Sequence, residues 1–302
     1  MSVRCYDTDV AKYRERLTSP KKNKKVQVES FYDPYVLGFS IGCNGTYHRT
    51  DTFNSFVKEP CLFRGMGKSP QIKQCIENNI DWYYIDTGYL GNDKFKTWHR
   101  ISKNNFQVQH IMDIKDSQLV SKDIERFEKN FGTIRPGARS YGNKILVAPP
   151  SQKVFNHFGG DAKAFTDNLV ERLEEVTDKE IVKRMKPTRG ERLQYSLVDQ
   201  LKSDKYGLLI TFNSIAAAEA IIAGYPAIVL GPNVAHQLSG TTIDDKSVNE
   251  PYMPDTDTVN AFLLRLSLCQ FNQNEILSGY AWETLQRLQK NQKHITTYAD
   301  MV

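Results

Sequence analysis

The 302-residue chain has no long apolar run, few cysteines and no histidine spacing that would hold a metal. Each absence removes a class of function. No stretch reaches the ~18 consecutive apolar residues that a membrane-spanning helix needs, so no membrane insertion is expected. Residues Met1 to Arg14 carry charges throughout and lack the apolar centre of a secretory signal, which makes the cytoplasm the expected location. The five cysteines (Cys5, Cys43, Cys61, Cys75 and Cys269) are scattered, odd in number and without a CxxC pair. That pattern argues against a disulfide framework and against a zinc site. The six histidines form no HxH or HExxH pattern, so no metal is expected. Internal repeats and low-complexity tracts are also missing.

What is present is ordinary in bulk and informative in detail. A hydrophobic content of 40% with 25% charged residues is that of a globular protein. The length allows two domains. A formal charge of +5 favours a polyanionic partner, nucleic acid or a nucleoside diphosphate, although a basic solvated surface explains it equally well. The densest basic cluster, Lys21, Lys22, Lys24 and Lys25, reads as an exposed loop before a strand.

The N-terminal part predicts a short helix at Asp9 to Leu17 and strands at Lys25 to Val28 and Val36 to Ile41. The second strand runs into the sharp Gly42-Cys43-Asn44-Gly45 turn. A strand at Cys61 to Phe63, a loop at Arg64 to Lys68, a helix at Ser69 to Asn78 and a strand at Trp82 to Ile85 follow. Ser69 fits an N-cap, with Pro70 behind it. Lys115 to Tyr141 reads as a helix and linker. Beyond it, strands at Lys144 to Ala148, Glu180 to Arg184, Leu208 to Thr211 and Ala227 to Leu230 alternate with helices at Ala162 to Glu175, Glu191 to Leu201 and Ser214 to Ala223. Such alternation predicts a doubly wound parallel sheet that binds ligands at the carboxyl ends of its strands. Two closing helices are expected, Thr256 to Cys269 and Asn272 to Gln289, with Asn272 suited to cap the second.

The most informative stretch runs from Leu208 to Leu230, LLITFNSIAAAEAIIAGYPAIVL. A buried strand ends at Thr211, and Asn213 and Ser214 sit where a helix opens, with free N–H groups that favour an anion. Ala216, Ala217 and Ala218 leave room for a ligand, and Glu219 lies further along the helix. Gly224 fits the helix C-terminus and Pro226 the start of the next strand. A well-capped core helix would look much the same. The stretch resembles the nucleotide-sugar-binding core of GT-B glycosyltransferases. By that resemblance Asn213 and Ser214 take the donor phosphates and Glu219 the ribose. Lys144 to Pro150 and Ile181 to Pro187 resemble segments of capsule-polysaccharide and polyol-phosphate transferases. There, a basic residue before the proline, here Lys186 with Arg184 as a partner, meets the pyrophosphate leaving group. More loosely, the whole chain is similar to phage-encoded glycosyltransferases through Arg64-Gly-Met-Gly-Lys-Ser-Pro70, Tyr84-Ile-Asp-Thr-Gly-Tyr89 and Trp98-His-Arg100. The resemblance implies two Rossmann-like lobes with parallel sheets, residues 1–140 for the acceptor and 141–302 for the sugar nucleotide, ending in a helical tail.

Inverting sugar transfer needs a general base. Asp86, at the end of its strand before Thr87-Gly88, is the first candidate, with turn capping as its other reading. His99 is the second, unless it is a surface histidine. A retaining transfer needs no dedicated base. Arg64 and Lys68 flank a glycine loop suited to a phosphate, but it is not a Walker A loop, because Leu62 stands where the first glycine belongs. Aromatic residues Tyr83, Tyr84, Tyr89, Trp98 and Phe106 interleave with Lys94, Lys96, Arg100 and Lys103. Such a surface suits a nucleic-acid strand or a sugar, although most of these rings would also fit a core. Arg64, Lys68, Tyr89, Trp98 and Arg100 are therefore the acceptor-binding candidates. The expected reaction moves a sugar from a nucleoside diphosphate donor, such as a UDP-sugar, with no further cofactor. The favoured acceptor is a hydroxymethylated base in double-stranded DNA, in a host cytoplasm if the chain is phage-encoded. The alternatives are a polysaccharide or lipid-linked acceptor, a sugar-nucleotide 2-epimerase, and a non-catalytic nucleic-acid-binding protein.

Overall fold

The computed structural model describes residues 2–7, 33–54, 56–91, 97–185 and 196–289. Among these residues, ten strands form two sheets. The first contains β1 (Arg4–Asp7), β2 (Thr46–Arg49), β3 (Cys61–Arg64), β4 (Trp82–Thr87), β5 (His99–Lys103) and β10 (Gln270–Phe271), in the order β10-β5-β4-β3-β1-β2. The second contains β6 (Lys144–Ala148), β7 (Glu180–Lys183), β8 (Tyr206–Thr211) and β9 (Ala227–Val229), in the order β7-β6-β8-β9.

The second sheet is parallel throughout, as its strand–helix alternation requires. Its inner strands β6 and β8 are apolar on both faces because both are covered, while β7 at the edge keeps Glu180 and Lys183 exposed. Helix α5 (Ala162–Val176) packs Leu169 and Leu173 against Ile145, Val147, Leu208 and Ile210. The opposite face, with Leu146 and Leu209, takes α6 (Leu197–Ser203) and α7 (Ala216–Ile222).

The first sheet departs from the all-parallel expectation. Its β1 to β4 are parallel, but β5 runs antiparallel to both β4 and β10. The expected strand at Val36 to Ile41 is a helix, α1 (Pro34–Gly42). Asp33 caps it by accepting from the Tyr35 and Val36 N–H groups, Pro34 stands in its first turn, and Val36 and Phe39 bury together at helical spacing. The apolar run was long enough for a strand, but the cap and proline before it decide for a helix.

Ser69 is not an N-cap. It is the first residue of α2 (Ser69–Glu77), and Lys68 precedes it without a side-chain cap. A helix at α4 (Gln152–Phe158), missing from the sequence reading, precedes α5. The charged interval before β6 holds α3 (Ser121–Phe131), and after β9 come the short α8 (Asp245–Asn249) and then α9 (Thr256–Ser267). The helix expected at Asn272 to Gln289 is two helices, α10 (Gln273–Leu277) and α11 (Tyr280–Leu288). Gly279 divides them at φ +85, in the left-handed region where glycine is unpenalised. Asn272 does cap α10, accepting from the Glu275 N–H.

These last elements return to the first sheet. Phe271, Ile276, Ala281 and Leu285 share its core with Val36, Phe39 and Tyr83. Another core cluster runs through both halves, joining Tyr89, Val108 and Ile111 to Ala216, Ala217, Val234 and Phe262. The expected helix at Asp9 to Leu17, the strand at Lys25 to Val28, the basic cluster Lys21 to Lys25, Lys94, Lys96, Lys186 with its loop, and the start of the Glu191 helix lie outside the described residues. Among the described residues no helix is long and apolar enough to cross a membrane.

Candidate functional site

Each sheet has a point where the chain leaves neighbouring strands in opposite directions, which opens a crevice at their carboxyl ends. In the second sheet it lies between β6 and β8. The chain passes from β6 through α5 on one face to β7, and from β8 through α7 on the other face to β9. Thr211 Oγ1 donates to the Ala148 carbonyl at 2.8 Å and ties the two strand ends together.

Asn213 and Ser214 follow β8 at this crevice. The Ser214 hydroxyl accepts from the Ala216 N–H at 3.2 Å and so begins the short α7. Ala216, Ala217, Ala218 and Ala220 are buried, while Asn213, Ser214 and Glu219 stay half-buried. Arg184 stands just beyond β7 at the same edge, with its Nε 2.7 Å from Gln200 Oε1 and its N–H on the Val147 carbonyl. Two strand spacings, about 10 Å, separate the ends of β7 and β8. The fold thus brings Arg184, Asn213 and Ser214 to one edge, while Lys186 falls outside the described residues.

In the first sheet the corresponding crevice lies between β1 and β3. It gathers residues that sequence reasoning named only in part. Arg64, at the end of β3, pairs with Asp33, and its Nη2 lies 3.1 Å from His99 Nε2. Arginine only donates, so that ring nitrogen accepts and the His99 proton sits on Nδ1. Tyr35 stacks on His99 with centroids 3.6 Å apart and also lies under the Arg64 guanidinium. Asp7 accepts from the Asp33 N–H at 2.6 Å and from the Tyr47 hydroxyl. Lys68 donates to Thr50 Oγ1 at 2.7 Å. Asp7 and Tyr47 carry no local signal, and Asp33 before Pro34 signals only a helix cap, so none of them reads as a site residue. Only the β1–β3 junction assembles them. His99 is not a surface histidine, being 1% exposed.

Asp86 lies inside β4 rather than after it, opposite Arg100 on β5. Their charges meet at 3.0 Å, and the Tyr84 hydroxyl donates to the same carboxylate at 3.1 Å. Arg100 is buried and also donates to the Thr87 and Phe106 carbonyls. Burial opposes its charge, but Asp86, Tyr89 and Tyr84 hold its pKa above the ordinary value. Burial pushes the Tyr84 and Tyr89 hydroxyls up. Trp98 packs on Phe131, with Arg126 over its ring. The rings of Tyr83, Tyr84, Tyr89 and Phe106 are core, so the aromatic stacking surface expected there is not formed by them.

The carboxyl-end loops of the two sheets approach each other. Ser69 Oγ, at the start of α2, lies 2.8 Å from His157 Nδ1 on α4. His157 is buried against Phe106 and Phe158, and burial with Lys73 nearby lowers its pKa to about 4. A polar depression lined by Asn143, Asp178, Glu180 and Asp245 lies instead at the amino ends of β6 and β7, away from these loops. Among the described residues no group of His, Cys, Asp and Glu could hold a metal ion.

No protein-family model and no curated protein matches the chain. Among solved structures, it is similar to the beta Kdo 2,4 transferase of Thermosulfurimonas dismutans KpsC. Their identity is 14%, with 90% of this chain and 92% of that chain covered and a TM-score of 0.43. It is also similar to the beta Kdo 2,7 transferase of the same KpsC, at 13% identity, with 94% and 99% covered and a TM-score of 0.47.

Proposed function

We propose that the chain is a GT-B-type glycosyltransferase that moves a sugar from a nucleoside diphosphate donor to an acceptor hydroxyl. The observation that carries this reading is the crevice between β6 and β8, where the Asn213-Ser214 turn opens a helix of small residues beside Arg184. Such a crevice takes a nucleotide because strand-end N–H groups and a cation face the phosphates. In this reading Asn213 and Ser214 bind the diphosphate and Glu219 the ribose. Arg184 and Lys186 stabilise the charge that grows on the diphosphate as its bond to the sugar breaks.

The acceptor enters from the first sheet, whose strand-end loops meet those of the second through Ser69 and His157. Asp86 takes the acceptor proton as the new glycosidic bond forms. Its side chain is 38% exposed, whereas His99 is enclosed and its Nε2 is occupied by Arg64. The aromatic residues that suited a nucleic-acid strand or a sugar are largely interior.

The reading is tested by thermal melting with UDP, GDP and CDP, each also as a sugar conjugate. A ligand at 100 times its Kd raises stability by about 2.7 kcal/mol. One diphosphate should raise the melting temperature, and Asn213→Ala should abolish the shift. A chain indifferent to all of them is no nucleotide-sugar enzyme. Mass spectrometry of the sugar product then separates transfer from 2-epimerisation.

A further inference from the structure

A residue of the first half reaches the loops that follow β8 and β9 in the second. After β5 the chain reverses at Asn104, whose φ of 54 is left-handed. It then runs back beside its own strand, with Ser102 donating to the Asn105 carbonyl and Arg100 to that of Phe106. This return carries Gln107 against the carboxyl ends of β8 and β9. Gln107 is 2% exposed. Its Nε2 donates to the Asn213 carbonyl, and its Oε1 accepts from the Val234 N–H at 3.1 Å. Asn233, fully buried, ties the same two loops from within, donating to the Ser214 carbonyl at 2.9 Å and accepting from the Ala235 N–H at 3.0 Å.

We propose that Gln107 is a positioning residue for the nucleotide, fixing the Asn213-Ser214 turn from the opposite half of the molecule. This rests on the donor assignment above. The physical reason is geometric. The short α7 cannot by itself fix the turn before it, and a buried primary amide satisfies one carbonyl and one N–H from two loops at once. Holding the Asn213 carbonyl fixes the peptide plane to Ser214, whose N–H faces Thr211 Oγ1 at 3.4 Å, and with it the direction of the Asn213 and Ser214 side chains offered to a phosphate. The donor turn is therefore held in part by the segment after β5, and nucleotide binding is coupled to the docking of the two halves.

The test compares the full chain with Gln107→Leu, which keeps volume and loses both hydrogen bonds. Hydrogen exchange of the peptide spanning Thr211 to Ala217, without ligand, reads whether the turn is held. Calorimetry with UDP, GDP and CDP reads affinity. Exchange in the turn should rise and diphosphate affinity should fall, each on the order of tenfold, as for loss of a buried hydrogen bond. The melting temperature should fall much less than a loss of fold would require. If the leucine chain does not fold, Gln107→Asn, one methylene shorter, withdraws the amide while keeping its polarity. Unchanged exchange in the turn, or unchanged affinity where the wild type binds a diphosphate, overturns the proposal. A wild type that binds none of the three sinks the donor assignment instead, and the exchange result still decides whether Gln107 holds the turn.

Discussion

At the scale of single residues, chemistry depends on what faces a group rather than on where it falls in a motif. Asp86 was legible as a strand-end carboxylate, but its partner Arg100 lies across an antiparallel pair that the sequence did not announce. Asn in place of Asp86 keeps an oxygen for the Arg100 guanidinium, so the chain should still fold, with a loss of about 1–2 kcal/mol. Turnover should fall at least ~10²-fold, because the amide cannot take a proton, while donor affinity stays near wild type. Calorimetry beside a turnover assay checks this, and a variant that still transfers sugar moves the base elsewhere. Glu219 illustrates the limit of motif reading. Its place on the helix was clear, but its half-buried setting follows from packing of the four alanines around it.

At the scale of elements, local signals worked where they were strong. The strands of the second sheet, the α5 helix and the Asn272 cap were all readable, because period and capping chemistry agreed with the packing. They failed at α1, where the apolar run Val36 to Ile41 reads as a strand but Asp33 and Pro34 open a helix. Gly224 sits just past α7 at φ +90, and a Cβ there would come within 2.0 Å of the Ala138 carbonyl oxygen. Gly224→Ala should therefore cost more than about 2 kcal/mol, from strain in φ and from the clash. Urea denaturation checks it, and a variant as stable as the wild type would mean that the 137–140 segment yields. Arg126 on α3 gives the reverse case, a charged residue turned inward. It pairs with Glu275 at 2.6 Å and donates to the Ser267 and Gln270 carbonyls at 2.8 Å. Arg126→Ala should destabilise by about 3–5 kcal/mol, since it leaves a largely buried carboxylate and two carbonyls without their donor. A loss below 1 kcal/mol in the same denaturation assay would show that the contact is incidental.

At the scale of the molecule, the two sheets are held together by a shared apolar cluster and by polar contacts such as Ser69 with His157. That histidine makes the assembly sensitive to acid. Its pKa of about 4 lies below the ordinary 6.5, so between those values the unfolded chain binds the extra proton. Stability is full above pH 6.5 and falls as pH drops towards 4, by roughly 2 kcal/mol at pH 5 from this group. His157→Gln should flatten that part of the profile, as read by urea denaturation at pH 8 and pH 5, and an equal slope in both chains would refute it. The sequence by itself determined the α/β class, the parallel second sheet and the turn after β8, because these follow from period, capping and turn chemistry over a few adjacent residues. Only the tertiary structure decided that β5 reverses, that residues 270–289 return to the first sheet, and that Asp7, Asp33 and Tyr47 meet Arg64. Likewise, Gln107 reaches Asn213 across 106 positions of sequence. Contacts at such separation leave no mark on local composition, because a buried amide or an edge strand is chosen by the partner it meets and not by its neighbours in the chain.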